Sequence, residues 1–243
     1  MLQIFKAANE VLAAAADYFI ETAKEAIAKN GRFTVALSGG STPKGLYELL
    51  ASETYRSKVD WSNVYFFFGD ERNVPHTHAD SNALMVEKAL FGPLNIAADH
   101  IFTVDTSLDP KVAARDYELL IYDHFNGGEA AFDLILLGLG DNSHTASLFP
   151  DTDVLEVKEA GVRAVFLRDQ QVYRITLTAP LINKAKHIAF LVLGKAKADA
   201  VHQILKGEKD YNLYPAQLIE PENGEAVWFL DEAAAAKVAD NAG

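Results

Sequence analysis

Three loop segments of this sequence carry residues that could bind an anion or transfer a proton. The first, Ser38 to Pro43, reads S-G-G-S-T-P between an apolar stretch and a helical pattern. Gly39 and Gly40 let the backbone approach a ligand closely, and the hydroxyls of Ser41 and Thr42 can donate hydrogen bonds. The unpaired N–H groups at the start of a following helix would attract a phosphate. The same residues could equally form a tight strand-to-helix turn in which Ser41 or Thr42 is the cap.

The second segment, Gly69 to Pro75, places three charged residues directly after a strongly apolar stretch. Arg72 could hold a phosphate or a carboxylate through two parallel hydrogen bonds. Asp70 and Glu71 could accept hydrogen bonds from sugar hydroxyls or orient the arginine. The simpler alternative is a solvated turn with a local ion pair, which is the commoner outcome for such a charge pattern.

The third segment, Gly138 to Pro150, carries His144 in a glycine-rich setting. An imidazole titrates near neutral pH, so a histidine in such a loop suits the role of a general base, although a lone histidine is more often structural. Two later cations, Arg174 and Lys197, could complete an anion site. Exposed lysines and arginines mostly serve solubility, and sequence spacing alone favours neither interpretation.

The composition excludes several other kinds of chemistry. The 243 residues include no cysteine, which excludes disulfides, thiolate metal sites and a cysteine nucleophile. His76 and His78 look like a metal pair, but no further ligands have suitable spacing, so we predict neither a metal nor another cofactor. With 22 basic and 34 acidic residues the formal charge is -12, the wrong sign for binding nucleic acid or an anionic membrane.

Short apolar stretches alternate with helical patterns along the chain. The stretches typical of buried strands are 33–37, 64–68, 101–104, 132–137, 164–167, 188–193 and 226–230. Helical patterns cover 7–30, 43–51, 81–90, 110–125, 180–186, 196–206 and 232–238. This alternation predicts an α/β fold: a doubly wound, mainly parallel, Rossmann-like sheet with helices on both faces. Ligands of such sheets bind beyond the carboxyl ends of the strands, where the three segments lie.

The organisation of the chain is simple. No repeat, low-complexity tract or long linker divides the sequence, so we predict one α/β domain over residues 1–243. The first residues lack the features of a secretion signal, and the longest apolar runs are too short to span a bilayer. We therefore expect a cytoplasmic location and no membrane segment.

Five motifs occur in an order that is highly specific, although each one is weak alone. They are S-G-G-S-T-P at 38–43, G-D-E-R-N-V-P at 69–75 with D-S-N at 80–82, G-L-G followed by H-T-A-S-L-F-P at 144–150, R-I-T-L-T at 174–178 and W-F-L-D at 228–231. Together they span nearly the whole chain, which resembles the 6-phosphogluconolactonase family. The resemblance implies a fold shared with glucosamine-6-phosphate deaminase and ribose-5-phosphate isomerase. It also implies hydrolysis of 6-phospho-D-glucono-1,5-lactone to 6-phosphogluconate in the oxidative pentose phosphate pathway.

The resemblance gives the candidate residues their roles. His144 would activate a water molecule, with Asp70 and Arg72 near the sugar and its carbonyl group. The residues expected to bind the substrate are Gly39, Gly40, Ser41, Thr42, Glu71, Asn142, Arg174 and Lys197. The phosphate would lie against the glycine loop, with Arg174 and Lys197 as counter-charges. Lys195 fits less well because the related pattern is Gly-x-x-Lys. We expect a monomer or a weak homo-oligomer.

The segment before His144 departs from the family pattern. The family usually shows G-P-D-G-H, whereas this sequence has Asp141, Asn142 and Ser143 before the histidine, so that Asn142 replaces the acid. An asparagine can hydrogen-bond to an imidazole but cannot supply the negative charge that raises its basicity. We hypothesise that Asp141 takes over this role or that the acid is dispensable.

Two alternative functions remain open. A glucosamine-6-phosphate deaminase-like enzyme would carry an acid after the histidine, in a phrase such as H-I-A-F-N-E-P, where this sequence has Thr145 to Pro150. A non-catalytic sugar-phosphate sensor would bind its ligand without turnover, and only Asn142 encourages that interpretation.

Overall fold

Strands and helices alternate over residues 1–238, which are the residues that this computed structural model describes. The strands are β1 (Leu2–Phe5), β2 (Phe33–Leu37), β3 (Val64–Phe68), β4 (Asp70–Arg72), β5 (Leu134–Leu137), β6 (Val162–Leu167), β7 (Val172–Leu177), β8 (His187–Val192) and β9 (Glu225–Asp231). The α-helices are α1 (Ala8–Asn30), α2 (Ser41–Leu50), α3 (Asn82–Val86), α4 (Gly92–Leu94), α5 (Pro110–His124), α6 (Ala179–Asn183) and α7 (Ala198–Lys206). One π-helical turn, Glu87–Phe91, joins α3 to α4.

Six of the strands form one sheet in the order β1-β9-β8-β5-β2-β3, and all neighbouring pairs are parallel. The strands are apolar because both faces are covered: α1 and α2 pack on one face, and α5 and α6 on the other. Alternate residues serve opposite faces, so Val35 and Leu37 of β2 join one apolar layer while Ala36 joins the other. The predicted doubly wound, parallel sheet therefore describes the main body of the protein.

A second sheet contains three antiparallel strands in the order β4-β7-β6. It begins just beyond the carboxyl end of β3, where the Gly69 N–H donates to Leu37 O at 2.8 Å and Gly69 O accepts from the Leu177 N–H at 2.9 Å. The predicted strand at 164–167 is confirmed as part of β6, although it belongs to this small sheet and not to the main one. The predicted loop from Gly69 to Pro75 is wrong for Asp70–Arg72, because a short charged strand leaves no distinct hydrophobic pattern.

Three other segments differ from expectation. No pattern in the sequence predicts β1, and the predicted strand at 101–104 contributes only one bridge, between Ile101 and Phe66. The alanine-rich stretch 232–238 forms turns rather than a helix. The Ala234 N–H donates to the Asp231 carboxylate at 2.8 Å, as at the start of a helix, but residues 232–238 form turns. No helix within residues 1–238 is both long and apolar enough to cross a membrane.

Candidate active site

The carboxyl ends of β2, β5 and β8 open into a cleft of about 280 Å³. All three segments selected from the sequence meet in this cleft, and β7 and the turn before α7 complete its wall. The expected site residues that line it are Gly39, Gly40, Ser41, Thr42, Asp70, Arg72, His144, Arg174 and Lys197. The topology thus brings together groups that lie up to about 160 residues apart in the sequence.

The loop after β2 depends on two glycines for different reasons. A Cβ on Gly39 would lie 1.9 Å from Asn82 Oδ1, so no side chain fits at this position. Gly40 has a φ of 106°, in the region that favours glycine. The buried Tyr47 hydroxyl fixes the start of the loop, since it donates to Ser38 O at 2.8 Å and accepts from the Ser38 N–H at 3.0 Å. The loop backbone is therefore held at the wall of the cleft.

The N-terminus of α2 points into the same part of the cleft. Its first N–H groups have no intrahelical partner, as in any α-helix. Among the described residues no side chain caps this end, which does not agree with the alternative that Ser41 or Thr42 merely caps a turn. The free N–H groups and the positive end of the helix dipole can hold an anion.

Arg72 on β4 and Arg174 on β7 are register partners across the small sheet. Each guanidinium is braced by a neighbour: Arg72 Nη1 donates to Asp80 O at 2.8 Å, and Arg174 Nη2 donates to Gln170 Oε1 at 3.3 Å. Burial lowers the pKa of Arg174, and the positive charge of Arg72 lowers it further. Two guanidinium groups on one wall create a strong attraction for an anionic or oxyanionic group.

The Glu71 side chain lies on the opposite face of β4 from those of Asp70 and Arg72, because successive side chains of a strand alternate between its faces. Its carboxylate is buried and accepts the N–H groups of Asn82 and Ala83 at 2.8 Å each, and that of Arg72 at 2.7 Å. These bonds satisfy the start of α3. Glu71 lies outside the cleft lining and positions the loop that carries Arg72, while its contact with the substrate stays a prediction.

Asp70 is buried at the cleft wall and is tied to the third segment. Its Oδ2 accepts a hydrogen bond from Ser147 Oγ at 2.7 Å, and its backbone carbonyl accepts from Asn82 Nδ2 at 2.9 Å. Burial raises the pKa of the Asp70 carboxyl, while the Ser147 hydrogen bond and the charges of Arg72 and Arg174 lower it. A carboxylate held in this way can accept a hydrogen bond from a ligand hydroxyl.

His144 follows a tight turn over residues 140–143. The Ser143 N–H donates to Gly140 O at 3.0 Å, and the Gly140 N–H donates to His144 O at 2.8 Å. Ser143 has a φ of 63°, a conformation that costs a non-glycine residue of order 1–3 kcal/mol. A Cβ on Gly140 would lie 2.0 Å from His144 Nδ1, so the imidazole occupies the space that a side chain at 140 would need.

The imidazole of His144 is held in one orientation and one tautomer. Its Nδ1 lies 2.5 Å from Asn142 Oδ1, and an amide oxygen only accepts, so Nδ1 carries the proton and Nε2 keeps its lone pair. The ring stacks on Phe149 with centroids 4.0 Å apart and an interplanar angle of 18°. Asn142 does not line the cleft itself; it orients the histidine that does.

The electrostatic surroundings keep His144 neutral. Burial lowers its pKa to about 4, and the positive charges of Lys197, Arg174 and Arg72 act in the same direction, while Asp141 opposes them. At neutral pH the imidazole is therefore unprotonated and can accept a proton from water.

Lys197 reaches the cleft from a 3₁₀ turn, Lys195–Lys197, between β8 and α7. Gly194 opens this turn with a φ of 91°, and its N–H donates to both carboxylate oxygens of Asp231, at 2.9 and 3.0 Å. The Lys197 ammonium forms an ion pair with Asp141. Lys195 is not part of the cleft lining, in agreement with the preference for Lys197.

Three residues that shape the cleft were not selected from the sequence as site residues: Ser147, Phe149 and Asp231. Ser147 hydrogen-bonds to a residue 77 positions away, and Asp231 to one 37 positions away. Single-sequence patterns carry no signal for such pairs. Their membership of the H-T-A-S-L-F-P and W-F-L-D motifs was the one available indication.

The two histidines that looked like a metal pair have separate partners. His76 Nε2 lies 2.9 Å from Val104 O, and His78 Nδ1 lies 3.6 Å from the Asp80 carboxylate. Within residues 1–238 no group of three or more His, Cys, Asp or Glu side chains is arranged to hold a metal ion.

Fold and site together define an α/β protein whose cationic cleft contains a neutral histidine base and suits a small anionic ligand. The chain belongs to the family described as glucosamine-6-phosphate isomerases/6-phosphogluconolactonase, whose model matches residues 6–228. The resemblance inferred from the five motifs is therefore confirmed.

Individual relatives are similar over most of their length. The chain is 40% identical over 232 residues to a 6-phosphogluconolactonase of Nostoc sp., covering 94% of each chain. It is 44% identical over 214 residues to a 6-phosphogluconolactonase of Synechocystis sp., covering 86% of each chain. The solved 6-phosphogluconolactonase of Trypanosoma cruzi superposes with a TM-score of 0.84 at 28% identity, covering 98% of this chain and 96% of that chain. The similarity to solved structures confirms the predicted fold class.

Proposed function

We propose that this protein is a 6-phosphogluconolactonase, which hydrolyses 6-phospho-D-glucono-1,5-lactone to 6-phospho-D-gluconate in the oxidative pentose phosphate pathway. The observation that carries this proposal is the orientation of His144, whose Nδ1–H is held by Asn142 and whose Nε2 keeps its lone pair in a cleft lined by Arg72 and Arg174. Lactone hydrolysis needs a base for water, a stabilised oxyanion and a proton for the leaving ring oxygen. These groups can supply all three.

The first half of the reaction uses His144 as a base. Nε2 takes a proton from water while the water oxygen forms a bond to the lactone carbonyl carbon. The carbonyl π electrons move to its oxygen and create a tetrahedral oxyanion. Arg72 stabilises this oxyanion, because a fixed guanidinium directed at developing charge acts more strongly in the transition state than in the ground state.

The second half breaks the ring. The oxyanion re-forms the carbonyl group, and the bond between that carbon and the ring oxygen breaks with its electron pair on oxygen. The His144 imidazolium returns its proton to this oxygen, which becomes a hydroxyl of the open product. One water has been added, and the new carboxylic acid loses its proton to solvent at neutral pH.

The phosphoryl group would lie against the loop after β2 and the N-terminus of α2. The Gly39 and Gly40 backbone and the N-terminus of α2 offer N–H donors, with the Ser41 and Thr42 hydroxyls beside them. Arg174 and Lys197 would supply the counter-charge. Asp70, fixed by Ser147, would accept a hydrogen bond from a sugar hydroxyl and set the position of the ring.

The same proposal includes the location, the oligomeric state and the partners of the enzyme. We place the activity in the cytoplasm, carried out by a monomer or a weak homo-oligomer without a nucleic-acid partner. A net charge of -12 and the absence of cysteine support this setting. Light scattering during size-exclusion chromatography measures the oligomeric state directly.

The decisive experiment measures the disappearance of freshly generated 6-phosphogluconolactone above its spontaneous hydrolysis. We expect the wild-type protein to accelerate it and His144→Ala to lose the acceleration while keeping its melting temperature. His187→Gln is the matched control, since His187 lies at the amino end of β8, away from the cleft, and should retain full activity.

Two outcomes would contradict the proposal. Release of ammonia from glucosamine-6-phosphate without lactone turnover would make the protein a deaminase-like enzyme. Tight binding of 6-phosphogluconate with no turnover of either substrate would make it a sensor.

A further inference from the structure

Lys197, one of the two cations expected to hold the phosphate, already has an anionic partner. Its ammonium is paired with the Asp141 carboxylate. The Asp141 side chain is 70% exposed and that of Lys197 26% exposed, so the carboxylate lies on the solvent side of the pair. Within residues 1–238 this ion pair is the one contact that holds the Asp141 carboxylate.

Asp141 and Asn142 occupy the two central positions of the turn over residues 140–143. Their side chains hold different residues of the cleft: Asn142 contacts His144, and Asp141 is paired with Lys197. The Asp141 carboxylate therefore lies at an ammonium that we expect to hold the phosphate.

We propose that Asp141 takes the place of the substrate's phosphoryl group at Lys197 when the cleft is empty, and that substrate binding displaces it. This inference rests on the proposed function. A phosphate monoester carries about -1.5 to -2 charges at neutral pH and offers three acceptor oxygens, so it is a stronger partner for an ammonium than one carboxylate. The exposed Asp141 carboxylate returns to water when displaced, which costs little.

The exchange makes Asp141 a residue that sets affinity. Breaking one ion pair to form another reduces the net gain from binding any phosphorylated ligand, whether substrate or product. The product keeps the phosphate and gains a carboxylate, so competition from Asp141 also favours its release. The expected size is modest, because exposed ion pairs contribute little: removing the carboxylate should tighten binding by about two- to fivefold.

The test measures binding of the product, 6-phosphogluconate, by isothermal titration calorimetry, which needs no turnover. We expect Asp141→Asn to lower the Kd about two- to fivefold and to strengthen product inhibition by the same factor. In a Lys197→Met background the same substitution should leave the Kd unchanged. Asp99→Asn is the matched control, because it makes the same change of charge at an exposed position near the amino end of β3.

The result can go against the proposal in two ways. An unchanged or higher Kd for Asp141→Asn would show that the carboxylate does not compete with the phosphate. An equal decrease in Asp99→Asn, or in the Lys197→Met background, would show a general effect of net charge. Absence of lactone hydrolysis by the wild-type protein, together with the expected decrease in Kd for Asp141→Asn, would contradict the proposed function but still show that Asp141 competes with a phosphorylated ligand.

Discussion

Arg72 and Arg174 are paired directly across β4 and β7, so two positive side chains share one wall of the cleft. Like charges directly opposite each other destabilise a sheet. Burial and the charge of Arg72 lower the pKa of Arg174 accordingly. The pair is therefore unfavourable for the empty protein and favourable once an anion lies against it.

This relationship predicts different effects on stability and on binding. Arg174→Gln should leave the unfolding free energy within about 0.5 kcal/mol of the wild type, since it removes a repulsion. The KM for the phosphorylated lactone should rise about 10- to 100-fold, the loss expected for charge-assisted hydrogen bonds. Urea unfolding and steady-state kinetics measure the two effects. Arg168→Gln, at an exposed turn position, is the control and should change neither.

The low pKa of His144 predicts activity that persists at acid pH. Only the neutral imidazole can take a proton from water, and its pKa in the free enzyme is about 4. The value of kcat/KM should therefore be flat down to about pH 5 and fall as the pH approaches 4. The acid limb of kcat should lie at a higher pH than that of kcat/KM. Bound phosphate offsets the charges of Lys197 and Arg174 and so raises the pKa of His144 in the substrate complex. A kcat/KM limb near pH 6.5 would contradict this account.

The neutral partner of His144 can be exchanged for an acid. Asn142→Asp places a carboxylate against Nδ1–H, and a neighbouring negative charge raises the pKa of a histidine by about 1–3 units. The acid limb of kcat/KM should move to higher pH by that amount, while the tautomer and the plateau rate stay close to wild type. Asn142→Ala should lower kcat without moving the limb upward. An unchanged profile in Asn142→Asp would make the missing acid unimportant.

Gly140 should be as necessary for catalysis as the histidine it touches. A Cβ at 140 would lie 2.0 Å from the His144 ring, so Gly140→Ala must move the imidazole. A displacement of about 1 Å lowers kcat by about 100-fold. Gly69→Ala meets only Leu37 O at 3.5 Å, an ordinary contact, and is the control. Wild-type kcat in Gly140→Ala would contradict the geometry of the turn.

Ser147 should stabilise both the fold and the site through Asp70. Ser147→Ala removes the Oγ donor at 2.7 Å from a buried carboxylate, which should lower the unfolding free energy by about 1–3 kcal/mol. It should also raise the pKa of Asp70 and the KM of the substrate. Ser62→Ala removes a similar bond to Asp60 at the surface, 2.6 Å long, and should cost far less. Equal decreases in the unfolding free energy of the two variants would contradict this role of Ser147.

The sequence allowed the main sheet to be predicted because five of its six strands are buried, continuous apolar stretches separated by helical patterns. The small sheet was not predicted for two reasons. Asp70–Arg72 is short and charged, and it pairs with Val172–Leu177, which lies about 100 residues away in the sequence. The turns at 232–238 were not predicted because the high helix propensity of the four alanines at 233–236 indicates a helix.

In the candidate site too, local sequence patterns predicted some features, and features that depend on the folded structure were not predicted. Gly39, Gly40 and His144 were selected because glycine-rich loops after strands are recognisable locally. The sequence did not distinguish Glu71, outside the cleft lining, from Asp70 and Arg72 within it, because it does not show that a strand turns adjacent side chains to opposite sides. The pairing of Asp141 with Lys197 could not be anticipated, since nothing local connects positions 141 and 197.

The parallel pairing of β1 with β9 has a consequence for how the chain is made. Leu2 lies opposite Trp228, so β1 pairs with a strand that is synthesised 226 residues later. At about 5–20 residues per second, β1 waits on the order of tens of seconds for that neighbour. β1 stays without its partner strand throughout this interval, so the six-stranded sheet can be completed only after Trp228 has been synthesised.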